Sequence, residues 1–280
     1  MLSMRAVSFL IISMAVGWFL CSLCEGAGTV QIDRFKIEER LLPGETKEGK
    51  IQVTNDENQI MRLKIYTQDW SYTSTCDGTK NFSPAGLMPC SCSPWIQIYP
   101  DQLTLPPKQS QDIRYIISVP QDAKGGYQSV IFFESILGQS ERGKEKVVTL
   151  SARLASLVFL EVRGTVSKQG VIRSLTLTRQ PGSKVLEMKL VFENRGNTHL
   201  IFEPMFDLLN PEGMPVARGT FAKIYTLPGN TATVATQWLG GLAEGVYDLV
   251  LTLDLGDDQI LVREWKIKVD STGAIQETLS

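Results

Sequence analysis

Histidine is the side chain best suited to acid–base chemistry near neutral pH, and this chain of 280 residues contains one, His199. It follows a polar turn and leads into the apolar pair Leu200 and Ile201. The sequence contains no G-x-S-x-G motif, no H-E-x-x-H motif and no phosphate-binding glycine loop. We therefore expect His199 to lie at the surface or at the end of a strand, and we predict no enzyme activity, no cofactor and no metal site.

Three cysteines, Cys76, Cys90 and Cys92, lie beyond the N-terminal segment. Zinc binding is disfavoured, because no histidine and few carboxylates lie near them in the sequence. In an oxidising compartment we expect Cys76 to form a disulfide bond with Cys90 or with Cys92, and the sequence does not distinguish the two. Such a bridge closes a loop of about 15 residues and contributes about 3 kcal/mol by constraining the unfolded chain. The third thiol is then free or joins another chain.

The charges argue against nucleic acid as a partner. The 28 basic and 30 acidic residues are mixed along the chain, the formal net charge is −2, and no basic stripe is present. Hydrophobic residues make up 43% of the sequence. That content is sufficient for two β-sandwich domains of roughly 100–130 residues each.

The N-terminal segment predicts export from the cytoplasm. Arg5 precedes an apolar run that ends near Leu23 and is followed by small residues, a pattern typical of a cleaved signal peptide, here 1–26. No second hydrophobic segment follows, so we expect a mature chain without a membrane span, periplasmic or otherwise extracytoplasmic. A retained membrane anchor is the alternative, because the run is close to spanning length. Lipid attachment at Cys21 or Cys24 is disfavoured by the bulky residues before each cysteine.

Apolar side chains recur every second residue through the middle of the sequence. In the segment 94–135 this rhythm places Ile113, Tyr115 and Ile117 on one side of a strand, and prolines and glycines separate neighbouring strands. The longest strand candidate is Val147–Val162, and seven further candidates follow it. Short strands at this spacing predict an all-β fold, with two immunoglobulin-like β-sandwich domains in tandem after the signal peptide.

Composition and turn signals give the expected domain boundaries. We place an N-terminal immunoglobulin-like domain at 29–163, with a cysteine-containing insertion at 71–93, and a C-terminal immunoglobulin-like domain at 164–270. The polar residues 271–280 are expected to form a flexible tail. The first strand of the N-terminal domain is expected at Val30–Ile37.

Several short motifs resemble those of periplasmic pilus-assembly chaperones of the PapD type and of the broader two-domain chaperone-like group. The motifs in the first domain are Leu42-Pro43-Gly44, Val53-Thr54-Asn55, Pro94-Trp95-Ile96 and Gly126-Tyr127; those in the second are Asn194-Arg195-Gly196-Asn197, Pro211-Glu212-Gly213 and Gly245-Val246-Tyr247. The resemblance implies two immunoglobulin-like domains joined at an angle. It also implies a non-enzymatic chaperone-like protein that binds β-rich secreted or surface subunits, as in pilus assembly.

Such chaperones lend an edge strand to a subunit that lacks one, and alternate apolar side chains fill the subunit's groove. The resemblance assigns this role to Val147–Val162, with Val148, Leu150, Leu154 and Val158 in the groove. The alternative is a structural immunoglobulin-like module of the cell surface or envelope, in which the same strand is part of the core. A chaperone should leave the edge of this strand unpaired, whereas a structural module should cover it. A third possibility is an enzyme or ligand-binding protein that uses the cysteine-containing insertion.

The same resemblance implies an anchor for the subunit's terminal carboxylate, formed by an arginine on the first strand and a lysine on the long strand. Arg40 matches the place of the arginine. The place of the lysine falls near Ala155 or Ser156, and the nearest cation is Arg153. The expectation is therefore that Arg40 and Arg153 together hold the end of a client chain, because charge-assisted hydrogen bonds to a carboxylate are strong.

Overall fold

A computed structural model describes residues 30–141, 147–179 and 183–278. The predicted signal peptide, 1–26, lies outside these residues. Strands form most of the described chain, and its one helical element is a 3-10 turn at Ser93–Trp95. No helix in these ranges has both the length and the hydropathy required to cross a membrane.

The described residues form twenty strands, ten in each half of the chain. In the N-terminal half they are β1 (Val30–Ile32), β2 (Lys36–Leu41), β3 (Thr46–Asn55), β4 (Met61–Tyr72), β5 (Lys80–Pro84), β6 (Ile96–Tyr99), β7 (Gln102–Leu105), β8 (Ser110–Ser118), β9 (Gly125–Glu141) and β10 (Val147–Val162). In the C-terminal half they are β11 (Gly170–Thr178), β12 (Leu186–Asn194), β13 (Leu200–Phe202), β14 (Met205–Leu209), β15 (Pro215–Thr220), β16 (Ile224–Thr226), β17 (Thr231–Trp238), β18 (Gly245–Asp254), β19 (Ile260–Val269) and β20 (Ile275–Thr278).

Two sheets enclose the core of the N-terminal half. One has the order β1-β3-β8-β6, and the other has the order β2-β10-β9-β4-β5 with β7 also paired to β4. Alternate residues of each strand point inward, so Ile51 and Tyr115 of the first sheet meet Phe133 and Leu160 of the second in one buried cluster. This arrangement is a β-sandwich.

The C-terminal half repeats the architecture with different sheets. Its strands form the orders β11-β12-β17, β13-β16 and β15-β14-β18-β19-β20. Leu190 and Phe192 on one side and Leu249 and Leu251 on the other are fully buried in a second cluster. The predicted all-β class with two sandwich domains is confirmed.

The first strand differs from the prediction. Instead of one strand at Val30–Ile37, β1 pairs with β3 in one sheet, and β2 pairs with β10 in the other. The chain changes sheets around Asp33, whose backbone N–H donates to the carbonyl of Gln52 at 3.2 Å. The backbone N–H of Gln52 donates in turn to the Asp33 carboxylate at 2.8 Å. These bonds hold the point at which the strand divides.

The expected tail also differs from the prediction. Residues 275–278 form β20, which pairs with β19 in the register Val269 with Ile275. An edge strand of four residues has too short an apolar pattern to be recognised from sequence. The expectation of a flexible segment over 271–280 is therefore wrong for these four residues.

The predicted disulfide bond is not present, and Cys76, Cys90 and Cys92 are free thiols. The reason is their placement in separate environments. Cys76 is buried in the core cluster of the C-terminal half, whereas Cys92 is buried in that of the N-terminal half. Cys90 and Cys92 lie on either side of a residue that bridges to β9, and Cys90 is half-buried. Burial raises the pKa of all three thiols, which keeps them protonated and lowers their reactivity.

A buried carboxylate holds the insertion at 71–93 in place of the expected bridge. Asp69 accepts hydrogen bonds from the hydroxyls of Ser91 at 2.5 Å and Ser93 at 2.6 Å, and from the backbone N–H of Met88 at 2.9 Å. Burial alone would raise the pKa of this carboxyl, but these donors outweigh it and lower the pKa. Asp69 therefore fixes the middle and the C-terminal end of the segment that links β5 to the 3-10 turn.

The other part of the insertion ties the two halves of the molecule together. In the loop between β4 and β5, the carbonyl of Cys76 accepts a hydrogen bond from the backbone N–H of Tyr225, on β16, at 3.1 Å. The rings of Tyr72 and Tyr225 lie 5.6 Å apart. A third buried cluster, which includes Trp70, Phe159 and Leu227, spans the two halves beneath this loop. The insertion is thus a strap across the domain junction.

Free thiols predict that reduction leaves stability unchanged. We expect the thermal unfolding temperature to be the same with and without dithiothreitol, because no bridge constrains the unfolded chain. Native thiol titration with a disulfide reagent should label Cys90 first, since Cys76 and Cys92 are 2% and 0% exposed. A fall of several degrees on reduction would contradict the structure, because a bridge worth about 3 kcal/mol should shift the unfolding temperature by that much.

Candidate functional site: an open strand edge

The long strand β10 is paired along its whole length on one side and along less than half of it on the other. It pairs with β9 from Val147 to Val162, in antiparallel register. On its other side, β2 pairs with it in parallel register, from Leu157 to Val162 alone. No strand among the described residues covers the remaining segment, 147–156, on that side. We call these ten residues the open edge; at the usual rise per residue it is about 33 Å long.

The hydrogen bonds to β2 show which backbone groups face outward. The N–H of Leu157 donates to the carbonyl of Phe35 at 2.9 Å, away from β9. Since backbone groups alternate in direction along a strand, the N–H and C=O groups of Ala155, Arg153 and Ser151 point the same way. These three residues present an unpaired hydrogen-bonding ladder at the open edge.

The inner face of the open edge belongs to the N-terminal core. Leu154 is half-buried and packs against that core. Val148 and Leu150 pair through their backbones with Ser140 and Gly138 of β9, and their side chains lie outside the description. Val158 does not fit the expected role, because it is fully buried where β2 covers the strand.

The outer face of the open edge carries a cation on an aromatic surface. The guanidinium of Arg153 lies 4.1 Å from the ring centroid of Phe132 and 5.7 Å from that of Phe82. Those two rings are in edge-to-face contact at 5.0 Å. Phe82 lies on β5, so the insertion supplies part of the surface beside the open edge. We call Tyr66, Phe82, Phe132 and Arg153 the aromatic platform.

Arg40 lies far from Arg153, so the two do not form one anchor. Arg40 is opposite Glu161 in the register of β2 and β10, eight residues along the strand from Arg153. Eight residues span about 26 Å. The expected joint binding of one client terminus by these two arginines is therefore wrong on geometric grounds.

Arg40 instead belongs to a balanced group of four charges between the domains. Its guanidinium contacts Glu161 at 2.9 Å and Asp257 at 2.9 Å. Lys168 completes the group, 2.9 Å from Asp257 and 3.8 Å from Glu161. Hydrogen bonds from Lys168 and Arg40 lower the pKa of Asp257, and the bond to Asp257 raises that of Arg40. Two cations and two carboxylates leave no net charge in this cluster.

A small cavity of about 290 Å³ lies beside these charges and is lined by Glu38, Arg40, Phe159, Lys168 and His199, among others. The imidazole of His199 contacts Phe159 in a tilted arrangement, with the ring centroids 4.6 Å apart and the planes at 49°. Burial lowers the pKa of His199 to about 4, so the ring is neutral at physiological pH. As predicted, His199 lies next to the end of a strand, one residue before β13.

Sequence reasoning missed two groups of residues. Lys168 and Asp257 gave no signal as partners of Arg40, since they come from the linker and from a turn far along the chain. Phe82 lies in a segment without periodicity, and its contact with Phe132 depends on the pairing of β5 with β4. The one sign in the sequence that the insertion at 71–93 has a specific role was its length, since long loops without periodicity are uncommon in compact domains.

Comparison with solved structures finds fimbrial chaperones. The class 5 fimbriae chaperone CfaA is 15% identical, with 84% of this chain and 98% of that chain aligned and a TM-score of 0.46. The E. coli chaperone DraB is 13% identical over 84% of this chain and 98% of its own, with a TM-score of 0.39. A chain of the CsuC–CsuE chaperone–subunit complex of Acinetobacter baumannii is 15% identical over 84% and 97%, with a TM-score of 0.42.

All three of these structures are at most 15% identical to this chain, and their TM-scores lie below 0.5. No protein-family model matches the sequence, and no curated protein sequence matches it.

The unpaired ladder predicts an alternating pattern of amide exchange. In the free protein, the amides of Ser151, Arg153 and Ala155 should exchange with solvent at least about tenfold faster than those of Ala152 and Leu154, which point toward β9. Nuclear magnetic resonance can resolve this residue by residue. The amide of Leu157 is the matched control, because it faces the same way but is bonded to Phe35. Equal protection of all six amides would mean that the edge is covered.

The single histidine predicts a pH-dependent stability. The pKa of His199 falls from an ordinary 6.5 to about 4 on folding, so the unfolded state takes up its proton first as the pH falls. The folded state therefore loses stability between about pH 6.5 and pH 4, by on the order of 1–3 kcal/mol. Denaturant unfolding of a His199→Gln variant should lack this component. The nearby groups Glu161, Lys168, Lys36 and Glu38 remain in both proteins, so an unchanged slope in the variant would contradict the assignment.

Proposed function

We propose that this protein is an extracytoplasmic, non-enzymatic chaperone-like protein that binds β-rich secreted or surface subunits, such as pilus-like subunits, by strand pairing at the open edge. The observation that carries the proposal is the termination of the β2 pairing at Leu157, which leaves residues 147–156 unpaired on one side among the described residues. A client strand placed there continues the sheet from β10, and its backbone bonds to Ser151, Arg153 and Ala155. The structural-module alternative expects this edge to be covered.

The side chains of the open edge suit the same role. Leu154 lies over the rim of the N-terminal core and is only half-buried, so a client can complete its burial. Ala152 and Ser156, which flank Leu154 on the same face, are small. We propose that Val148 and Leu150 continue this apolar row toward the tip of the hairpin formed by β9 and β10.

The proposal includes the domain division and the cellular location. We place the boundary between the domains at residues 163 and 164, just after β10 ends at Val162. We propose that residues 1–26 are removed as a signal peptide and that the mature chain acts in the periplasm or in another extracytoplasmic space. Folding in that space is compatible with free thiols that are buried, since burial protects them from oxidation.

We propose that Arg40 stabilises the domain junction in the free protein and binds a carboxylate of the client in the complex. Its ion pair with Asp257 is exposed, with 58% and 44% of the two side chains accessible, so it contributes less than about 1 kcal/mol. A client carboxylate can therefore exchange with the Asp257 carboxylate at small cost, and Lys168 lies within reach of the same position. Arg153 does not take part in this exchange.

The test of the proposal is a proline at the edge. In Ala155→Pro the N–H that faces the open side is lost, whereas every bond to β9 is kept, so the variant should fold with a loss of about 1 kcal/mol or less. It should nevertheless fail to pair with a client strand. Wild type, Ala155→Pro and the matched control Ala155→Ser, which keeps its N–H, are compared in pull-downs from the cell envelope.

We expect wild type and Ala155→Ser to retain the same β-rich secreted subunit and Ala155→Pro to lose it. In the complex, the amides of Ser151, Arg153 and Ala155 should become protected from exchange. Retention of the same partner by a folded Ala155→Pro variant, as judged by circular dichroism, would rule out strand pairing at this edge.

A further inference from the structure

A row of alternating charges crosses the outer face of the sheet and ends at the open edge. Lys64 on β4, Glu134 on β9 and Arg153 on β10 are direct neighbours in the two registers. Glu134 accepts a hydrogen bond from the hydroxyl of Tyr66 at 2.8 Å, which fixes the carboxylate in the row. Burial raises the pKa of Tyr66 and, together with the bond to Glu134, outweighs the lowering effect of a hydrogen bond from Arg153, so the hydroxyl remains a donor. The row reads positive, negative, positive, and the next strand position is unoccupied in the described residues.

The rings of the aromatic platform hold the last cation of this row and use only part of its hydrogen-bonding capacity, since Arg153 donates one hydrogen bond to Tyr66 and a guanidinium has five N–H donors. Arg153 lies against the faces of Phe132 and Phe82, and contacts of this kind use the flat face of the guanidinium. The N–H donors lie in the plane of the group and can bind a carboxylate at the same time. Among the described side chains, no carboxylate is in ion-pair contact with Arg153. The side chain is exposed, so a strand placed at the open edge can reach it.

We propose that Arg153 selects a client strand that carries an acidic residue, Asp or Glu, at the outward-facing position beside it. Opposite charges at directly paired positions of neighbouring strands stabilise a sheet, and like charges destabilise it. A carboxylate there extends the alternation of the row by one strand. The proposal rests on the proposed function, because it requires a strand at the open edge. It assigns Arg153 to an acidic side chain of the client and not to the client's chain terminus.

The preference can be measured with synthetic strands. The probes are fluorescein-labelled peptides of eleven residues that alternate Val with Thr, in which the central Thr is replaced by Glu, Gln or Lys. Fluorescence anisotropy gives their dissociation constants for the mature protein, for Arg153→Glu and for Arg153→Gln. Ala155→Pro serves as the variant in which the edge is blocked.

We expect wild type to bind the Glu peptide about two- to fivefold more tightly than the Gln peptide, and the Lys peptide more weakly again. Arg153→Glu should reverse this order, and Arg153→Gln should bind all three alike. The differences should shrink at high salt, because the pair is exposed. If Arg153 served the aromatic platform alone, its replacement would alter stability and leave the charge preference unchanged.

The possible results distinguish the preference of Arg153 for an acidic residue from strand pairing at the open edge, on which that preference depends. Equal affinity of wild type for the three peptides, with weaker binding by Ala155→Pro, would overturn the acidic preference and leave strand pairing intact. Binding of all peptides to Ala155→Pro as well as to wild type, or binding of none to either, would overturn strand pairing at this edge and the preference together.

Discussion

Parallel pairing between β2 and the last six residues of β10 decides how much of the long strand a partner can reach. The register joins Lys36 to Leu157, so a straight strand from Val30 to Leu41 would cover β10 from Ser151 onward. The chain avoids this by placing β1 in the opposite sheet, against β3, and the reciprocal bonds of Asp33 and Gln52 hold that division. The open edge is therefore a consequence of where the first strand changes sheets. On the opposite side of β10, β9 pairs with the whole strand, so only the side that faces β2 can accept a further strand.

The position of the second domain relative to this edge is fixed by three different kinds of contact. Apolar packing supplies one of them, through the cluster that joins Phe159 to Leu227. A close approach supplies the fit: the N–H of Gly126 donates to the carbonyl of Asn197 at 2.8 Å, and a Cβ at Gly126 would lie 2.1 Å from the hydroxyl of Thr198. The strap formed by the insertion adds Cys76, buried in the second domain's core. A client that reaches both the open edge and the charges around Arg40 would meet a preformed surface.

Local sequence patterns predicted the individual strands. The features that were missed depend on contacts between segments that are distant in the sequence. The bounds of β10 match those expected, because alternation and flanking turns are properties of a few consecutive residues. The split of the first strand was missed, since the two halves differ only in which distant strand they contact. The expected bridge from Cys76 failed for a similar reason: spacing in sequence permits it, but burial in separate cores forbids it. At the candidate site, Leu154 lies on the open edge and its role toward a client stays a prediction, whereas Val158 was assigned to the edge because its covering by β2 is invisible in the sequence.

An open edge of this length favours self-association, because two copies of the protein can pair through their unpaired backbone groups. A symmetric antiparallel pairing over Ser151 to Ala155 would place Arg153 of one copy opposite Arg153 of the other. Like charges at directly paired positions are destabilising, and the small side chains of Ser151 and Ala155 add little apolar area to offset the repulsion. A strand with an acidic residue at that position meets attraction where a second copy meets repulsion. In the proposed function, one guanidinium therefore disfavours self-association and favours the client.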